Sequence, residues 1–342
     1  MAETITVGEM AELASDRIFS VFGWERHPLT NQNCDCVAKA LHKKQRGSPT
    51  HPTDCVFSYI DPYTGRFVFV NTDLKSYAVS TLESVDITKA VRNLAHATEC
   101  ANRSAQWKTL FVGRECNHDV VGMLFIYNHD QNYDGEFNEK LAALPPSGFD
   151  MLSETFVGVL GPHRISYLNS VAQDIKALHS DGKLPAKENR FFFYPHLNRT
   201  AAFHQHHKVA TLPALLSPLF VLSYEFPTGA TKPPHASSRG IYVYYDGKGE
   251  TVQEFQYLLG YMFKYQLATE NTDIFICCAQ PASDAAVLFD NAKREHARQY
   301  WPLHGASEQE CLVKLEAMKY RSITNFVMRF EQRELGMRWP KP

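Results

Sequence analysis

Residues 51–77, HPTDCVFSYIDPYTGRFVFVNTDLKSY, decide the fold of the first part of this chain because they have the pattern of a β-hairpin. The segments Val56-Phe57 and Phe67-Val68-Phe69-Val70 contain only β-branched and aromatic residues, which are favoured in strands. Between them, Asp61-Pro62-Tyr63-Thr64-Gly65 combines a proline with a glycine, as tight turns often do. We therefore expect two strands, the first beginning near Asp54 and the second ending at Asp73-Leu74-Lys75.

The acidic residues of this hairpin predict a metal site. Asp73 and Lys75 are two positions apart on a strand, so their side chains project from the same face. Asp54 on the neighbouring strand would lie opposite them and complete a small acidic pocket with one cation at its edge. Two carboxylates can hold Mg²⁺ or Mn²⁺, with the backbone carbonyl of Leu74 as a further ligand. Lys75 would then orient an attacking water and stabilise charge on a phosphate, as phosphodiester hydrolysis requires.

A helix predicted over residues 6–22 brings a further acid towards the pocket. Apolar residues recur there at three- and four-residue spacing, and Gly23 is a typical C-terminal helix signal. Glu12 lies at the edge of the buried face, from which it could complete the metal shell or hold a metal-bound water. The alternative is an ordinary solvated surface acid.

The remaining patterns divide the chain into two α/β domains, residues 1–145 and 150–342, joined by a linker rich in Pro and Gly around 142–148. The first continues with a short helix around 37–44, a long helix over 80–107 and a buried strand over 120–127. The second contains helices, strands and a terminal strand, which we predict as follows: helices over 165–178, 250–267 and 283–300; strands over 191–194, 219–222, 241–245, 273–278 and 324–333. The strand–helix–strand order in 241–278 implies a parallel pair with a right-handed crossover.

Three motifs resemble those of the PD-(D/E)xK nuclease superfamily: Gly8-x3-Glu12, Pro52-Thr53-Asp54 and Asp73-Leu74-Lys75. That superfamily includes many restriction endonucleases, Holliday-junction resolvases and antiviral effector nucleases. The resemblance covers roughly residues 6–128 and implies a restriction-endonuclease-like mixed sheet flanked by helices. It implies a catalytic set of four residues: Glu12, Asp54, Asp73 and Lys75. The segment between Trp24 and His51 is longer than a simple first strand, so we expect an insertion there.

The net charge of the chain limits how strongly such a nuclease could attract nucleic acid by itself. The chain is 44% hydrophobic and 21% charged with a net charge of −2, so it has no overall basic field. We expect DNA as the substrate rather than RNA, and a second protein subunit or a homo-oligomer to complete the DNA channel. The cations Lys43, Lys44 and Arg46 could follow a phosphate backbone, although such runs are more often solvated loops.

The resemblance makes an effector of prokaryotic anti-phage defence the expected biological role, with the second domain binding a partner or sensing a signal. The competing hypothesis is a catalytically silent assembly or sensor subunit that uses the nuclease fold as a scaffold.

The cysteines give no disulfide framework. Eight are spread along the chain, which favours reduced thiols and a cytoplasmic location. We considered zinc binding by Cys34, Cys36, His42 and His51, but their spacing matches none of the usual structural zinc patterns. No apolar run reaches the roughly 18 residues of a membrane span, and the acidic N-terminal segment does not resemble a signal peptide, so no membrane association is expected.

Overall fold

The computed structural model describes residues 13–42, 50–113, 116–144, 155–195, 208–229, 232, 237–267, 272–300, 312 and 314–326. The chain divides into two compact units. The first takes in Met1–Asn169 and Thr211–Leu216, and the second takes in Ser170–Ala210 and Ser217–Phe326. Each unit contains a five-stranded mixed sheet, so the predicted α/β fold class is confirmed.

The first sheet contains the predicted hairpin and has its strands in sequence order. Its members are β1 (Glu25–Asp35), β2 (Thr50–Ile60), β3 (Phe67–Tyr77), β4 (His118–Asn128) and β5 (Val157–Leu160). The pairs β1–β2 and β2–β3 are antiparallel, whereas β3–β4 and β4–β5 are parallel. β3 is therefore the central strand of the sheet, antiparallel to β2 on one side and parallel to β4 on the other.

The turn of the hairpin forms as its residues predict. One carboxylate oxygen of Asp61 accepts hydrogen bonds of 2.9 Å from the backbone N–H groups of Tyr63 and Thr64. Gly65 has a φ of +68°, a conformation that glycine adopts without steric cost. This turn fixes the register in which Ile60 pairs with Phe67, and with it the alignment of the two acidic segments.

The described α-helices are, in chain order, α1 (Val79–Ser84), α2 (Ile87–Arg103), α3 (Ala105–Phe111), α4 (Phe137–Ala142), α5 (Pro162–Ser180), α6 (Leu212–Leu216), α7 (Val252–Lys264) and α8 (Ala285–Tyr300). The prediction of one helix over 80–107 is wrong. Asp86 and Ser104 act as N-caps, accepting hydrogen bonds from the N–H groups of Thr88 and Trp107, and so begin new helices. Ser15–Phe19 forms a π-helical turn within the predicted first helix, of which residues 6–12 lie outside the described residues.

β1 is longer than the sequence indicated. It has eleven residues, most of them polar, and a bulge between Arg26 and Thr30 interrupts its pairing with β2. Its polar composition and Pro28 conceal the alternation by which strands are recognised. Residues 37–42, the described part of the predicted short helix, form turns instead, so that prediction is wrong.

Helix α2 packs closely on the sheet above β4. Val91 and Leu94 of the helix share a buried cluster with Leu124 and Ile126 of the strand. Beneath them, Gly122 lies so close that an added Cβ would come within 2.8 Å of the Thr98 hydroxyl. Helix α2 is thereby held against the sheet that carries the acidic residues.

The second sheet has the order β10-β9-β8-β7-β6. Its strands are β6 (Arg190–Phe192), β7 (Leu219–Glu225), β8 (Arg239–Tyr245), β9 (Thr272–Cys278) and β10 (Met318–Ser322). The predicted parallel pair is confirmed, because β8 and β9 run parallel with α7 between them in sequence. The predicted terminal strand over 324–333 is not formed at residues 324–326, and its remainder lies outside the described residues. The observed edge strand is β10, parallel to β9.

None of the described helices combines the length and the apolar character that crossing a lipid bilayer would demand.

Candidate active site

The acidic residues of the hairpin lie where two neighbouring strands separate. The ladder between β2 and β3 runs from Ile60 and Phe67 to its last pair, Cys55 and Thr72. Beyond this pair β2 continues to pair only with β1, while β3 continues to pair with β4 as far as Tyr77. Asp54 and Asp73 are therefore the first residues past the point of separation, which we call the fork.

Hydrogen bonds at the fork replace the interrupted ladder. The backbone N–H of Leu74 donates to Oδ2 of Asp54 at 2.8 Å, so this N–H is satisfied by a side chain rather than by a strand carbonyl. The Asp54 and Asp73 side chains are close enough for the charge of Asp73 to raise the pKa of Asp54. Lys75 Nζ lies 2.6 Å from Oδ1 of Asp73. The structure thus brings together three of the four residues predicted to be catalytic.

The electrostatics of the two acids suit a cation. Burial, followed by the neighbouring charge of Asp73, raises the pKa of Asp54 to about 7, although the Leu74 N–H and the Lys75 charge act in the opposite direction. Two neighbouring carboxylates repel each other when both are ionised. A bound cation offsets this repulsion. The oxygen donors of Asp54, Asp73 and the Leu74 carbonyl are the type that Mg²⁺ and Mn²⁺ prefer, so these residues fit such an ion.

Lys75 is held in its charged form. Burial lowers the pKa of this ammonium, but the charge of Asp73 and the hydrogen bond to it outweigh that effect, so the pKa lies above its usual value. Its side chain is 35% exposed and that of Asp73 is 21% exposed, so both can reach a ligand in the solvent. A charged lysine here serves as a hydrogen-bond donor and a positive charge, not as a proton acceptor.

Four of the predicted site residues lie outside the described residues: Glu12, Lys43, Lys44 and Arg46. The part of Glu12 in a metal shell, and that of the three cations in binding nucleic acid, stay predictions.

The structure also contains a second cluster of ligand-type side chains, which includes three of the four residues that the sequence analysis considered for zinc. Cys36, His42 and His51 converge with Cys100 of α2, and Cys34 is not part of the group. Instead Cys34 packs in a buried cluster with apolar side chains that include Val56 and Trp107. Because Cys100 lies 64 positions after Cys36 in the chain, no local spacing reveals the set.

Comparison with known proteins places the first part of the chain in a family. A family model described as the PD-(D/E)XK nuclease domain of the GAPS4 protein matches residues 1–164, which include β1 to β5 and the fork. The GAPS4 family is an anti-phage defence family. Searches of curated proteins and of solved structures returned no match. Residues 1–164 of this chain are therefore similar to the nuclease domain of GAPS4 proteins, and this match supports the assignment of this part of the chain to the PD-(D/E)XK nuclease superfamily.

Proposed function

We propose that this protein hydrolyses phosphodiester bonds of DNA in a reaction that depends on Mg²⁺ or Mn²⁺. The observation that carries the proposal is the convergence of Asp54, Asp73 and Lys75 at the fork of a sheet that belongs to a nuclease superfamily. An acid pair can hold a divalent ion, and a lysine at its edge can donate a hydrogen bond to a phosphate.

The acidic residues would hold the ion. Asp54, Asp73 and the backbone carbonyl of Leu74 supply three oxygen donors, and Glu12 would complete the shell or hold a bound water. When bound, the ion supplies Lewis-acid polarisation of the phosphate and lowers the pKa of a coordinated water. The hydrogen bond from the Leu74 N–H fixes the orientation of the Asp54 carboxylate before any ligand arrives, which reduces the entropy lost on binding.

Lys75 would act on the attacking water and on the phosphate. Its ammonium has three N–H donors, so it can donate to a water or a phosphate oxygen while it remains bonded to Asp73. The bond to Asp73 limits the freedom of a long, flexible side chain. A positive charge held at this place stabilises the negative charge that develops in the transition state.

DNA binding would need more than this chain's overall charge provides. With a net charge of −2, long-range attraction to a polyanion is weak. We propose that a second protein subunit or a homo-oligomer completes the DNA channel, with Lys43, Lys44 and Arg46 contacting the backbone. The residues from 150 onward would bind that partner or sense the trigger. The complex would act in the cytoplasm as an effector of anti-phage defence.

A cleavage assay tests the proposal. The purified full chain, alone and with proteins encoded by neighbouring genes, is incubated with linear DNA, circular DNA and RNA in Mg²⁺, in Mn²⁺ and without added divalent ion. We expect cleavage of DNA only when the ion is present, and its loss in Asp73→Asn. Binding of DNA without cleavage under every condition would overturn the proposal in favour of a silent assembly or sensor subunit.

A further inference from the structure

We propose that Cys36, His42, His51 and Cys100 bind one structural Zn²⁺, which ties the connection between β1 and β2 to helix α2. All four residues are buried, with between 2% and 6% of their surface exposed. One ligand atom from each lies within 4.8 Å of the others. This site is separate from the acid pair at the fork and has a different donor chemistry.

The distances among three of the ligand atoms fit a tetrahedral zinc centre. The two sulfur atoms of Cys36 and Cys100 are 3.8 Å apart, and Nδ1 of His42 lies 3.5 Å from the first and 3.4 Å from the second. With Zn–S bonds of about 2.3 Å and Zn–N bonds of about 2.0 Å, the edges of a tetrahedron are about 3.8 Å between sulfurs and about 3.5 Å between sulfur and nitrogen. His51 supplies the fourth ligand, and its ring lies 5.3 Å from that of His42 between centroids.

The sulfur atoms are arranged as metal ligands rather than as a disulfide. A disulfide needs about 2.05 Å between sulfurs, well below the observed separation. Burial alone disfavours a thiolate, and a divalent cation offsets that cost, since zinc-bound cysteines are deprotonated.

A buried carboxylate orients His42 as such sites require. Nε2 of His42 lies 3.1 Å from Oε2 of Glu99, which is fully buried, so Nδ1 is the nitrogen that faces the sulfurs. A carboxylate behind a metal-bound histidine fixes its tautomer and raises its basicity. The ring of His96 stacks on His42 at 4.0 Å and holds it in place from the side.

Charge balance supports the same assignment. Two thiolates neutralise Zn²⁺, and the guanidinium of Arg103 lies 3.6 Å from Oε1 of Glu99 and balances that carboxylate. The loaded site would therefore bury no net charge, which avoids the large cost of an unpaired ion in the interior.

The donor set selects zinc over the magnesium proposed at the fork. Thiolate sulfur and imidazole nitrogen are ligands for zinc, whereas Mg²⁺ takes oxygen ligands. Four protein ligands fill a tetrahedral shell and leave no position for a substrate, which is the mark of a structural site.

The position of the cluster explains what the ion would do. Cys36 follows the last residue of β1, His51 is the second residue of β2, and Cys100 lies in the last turn of α2. The ion would cross-link elements that are far apart in sequence. His51 precedes Asp54 by three residues on the same strand, a distance of about 10 Å. The ion would thus stabilise the end of β2 that continues past the fork.

Metal analysis of the purified full chain tests the proposal. We expect about one zinc per chain after growth and purification without chelator, retained on gel filtration. Cys100→Ser and His51→Ala should each lose most of it. Cys34→Ser is the matched control, because Cys34 is equally buried two residues from Cys36 but outside the cluster, and it should keep the zinc. Asp73→Asn should also keep it, which separates this result from that of the cleavage assay.

A spectroscopic measurement keeps the test valid if a variant fails to fold. Replacement of zinc by Co²⁺ in the unmodified chain should give the visible bands of a tetrahedral cobalt site together with a thiolate charge-transfer band. The proposal is overturned if zinc-supplemented wild-type protein holds no stoichiometric zinc, or if mass spectrometry finds Cys36 and Cys100 in a disulfide. Loss of zinc from Cys34→Ser with retention in Cys100→Ser would overturn it equally.

Discussion

The backbone N–H of Leu74 on β3 donates a 2.8 Å hydrogen bond to Oδ2 of Asp54 on β2, so one strand of the hairpin positions a candidate metal ligand of the other. This bond forms because the ladder between the strands has ended at Cys55 and Thr72. Separation of the strands is therefore part of the site. The separation leaves a gap between β2 and β3 in which Asp54 and Asp73 lie. It also frees the Leu74 N–H to donate to the Asp54 carboxylate.

Neutralising Asp73 should abolish cleavage. Asp73→Asn keeps the size of the side chain but removes a proposed metal ligand and the anion that holds Lys75. Lys75→Ala removes the donor to the attacking water. We expect each substitution to lower the cleavage rate in Mg²⁺ by at least about 100-fold and to leave the protein folded, because both side chains are partly exposed. Single-turnover cleavage of linear DNA measures the effect.

Asp119→Asn is the matched control for these variants. Asp119 pairs with Arg66 in a more exposed ion pair on the same sheet, with 47% and 44% of the two side chains exposed. Its loss should leave cleavage unchanged. If Asp119→Asn and Asp73→Asn lowered the rate equally, a general effect on the sheet would account for both, and the role proposed for Asp73 would be wrong.

The raised pKa of Asp54 predicts a dependence of stability on pH in the absence of Mg²⁺. Its pKa is about 7 in the folded protein and about 3.9 in an unfolded chain. The folded state thus binds this proton more tightly. The stability it contributes is fully present below pH 3.9 or so and is lost as the pH rises to about 7. The change should amount to a few kcal/mol, shared between Asp54 and Asp73.

Unfolding temperatures of the wild type and of Asp54→Asn between pH 4.5 and about 8, without added divalent ion, measure this effect. Subtracting the two curves cancels the contributions of the other titrating groups. The wild type should lose stability relative to the variant as the pH rises, and Mg²⁺ should remove most of that loss. If the two stability curves stayed parallel over this pH range, repulsion between Asp54 and Asp73 would not destabilise the folded protein.

The hairpin was predictable because its information is local. The turn residues and the β-branched and aromatic runs of β2 and β3 specify the register, and the register places Asp54 and Asp73 directly after the last pair of the ladder. The spacing of two positions between Asp73 and Lys75 likewise predicted that their side chains lie on the same face of the strand. The fork itself could not be predicted from a single sequence. It forms because β2 continues to pair with β1 while β3 continues to pair with β4, and these pairings are not local in sequence.

The complete set of Cys36, His42, His51 and Cys100 could not be predicted, for a different reason. Three of its ligands are close in sequence, but the fourth comes from a helix whose position depends on packing over β4. Cys34 was considered in its place because it forms a C-x-C pair with Cys36. On a strand, however, Cys34 faces the core, where it contacts the cluster of Phe69 and Trp107. Long-range packing, not spacing, selects the ligands.

Gly122 should tolerate no larger side chain. A Cβ at this position would approach the Thr98 hydroxyl at 2.8 Å and Cγ of Leu94 at 3.2 Å. That hydroxyl donates a 2.7 Å hydrogen bond to the Leu94 carbonyl, so it cannot move away freely. We expect Gly122→Val to destabilise the protein by about 1–3 kcal/mol through overpacking beneath α2. Thermal unfolding measures the change.

Gly260→Ala provides the opposite case. Gly260 lies within α7, and among the described residues no atom comes within 4 Å of the place where its Cβ would be, apart from its chain neighbours and the backbone of its own helix. Alanine favours helices over glycine, so this substitution should raise stability by up to about 1 kcal/mol. Equal losses from both substitutions would show that close packing at Gly122 is not the cause of its effect.

Arg321 and Asp174 should stabilise the second unit as a pair rather than singly. Asp174 is buried and accepts hydrogen bonds from both terminal nitrogens of Arg321, one of them at 2.8 Å, and from the Tyr244 hydroxyl at 2.9 Å. Arg321→Met leaves a buried carboxylate without its cation, and we expect a loss of about 2–4 kcal/mol in the free energy of unfolding. The Arg321 side chain is 31% exposed, so water offsets part of the cost.

The double substitution Asp174→Leu with Arg321→Met measures how much of the effect comes from the interaction between the two side chains. Replacing both charges by apolar groups removes the unpaired carboxylate, so the double variant should be more stable than Arg321→Met alone. Lys183→Ala is the control, because Lys183 and Asp181 form an exposed ion pair whose loss should leave urea unfolding unchanged. If the effects of the two single substitutions simply added, the two residues would be uncoupled. The buried contact between Asp174 and Arg321 would then contribute nothing specific to stability.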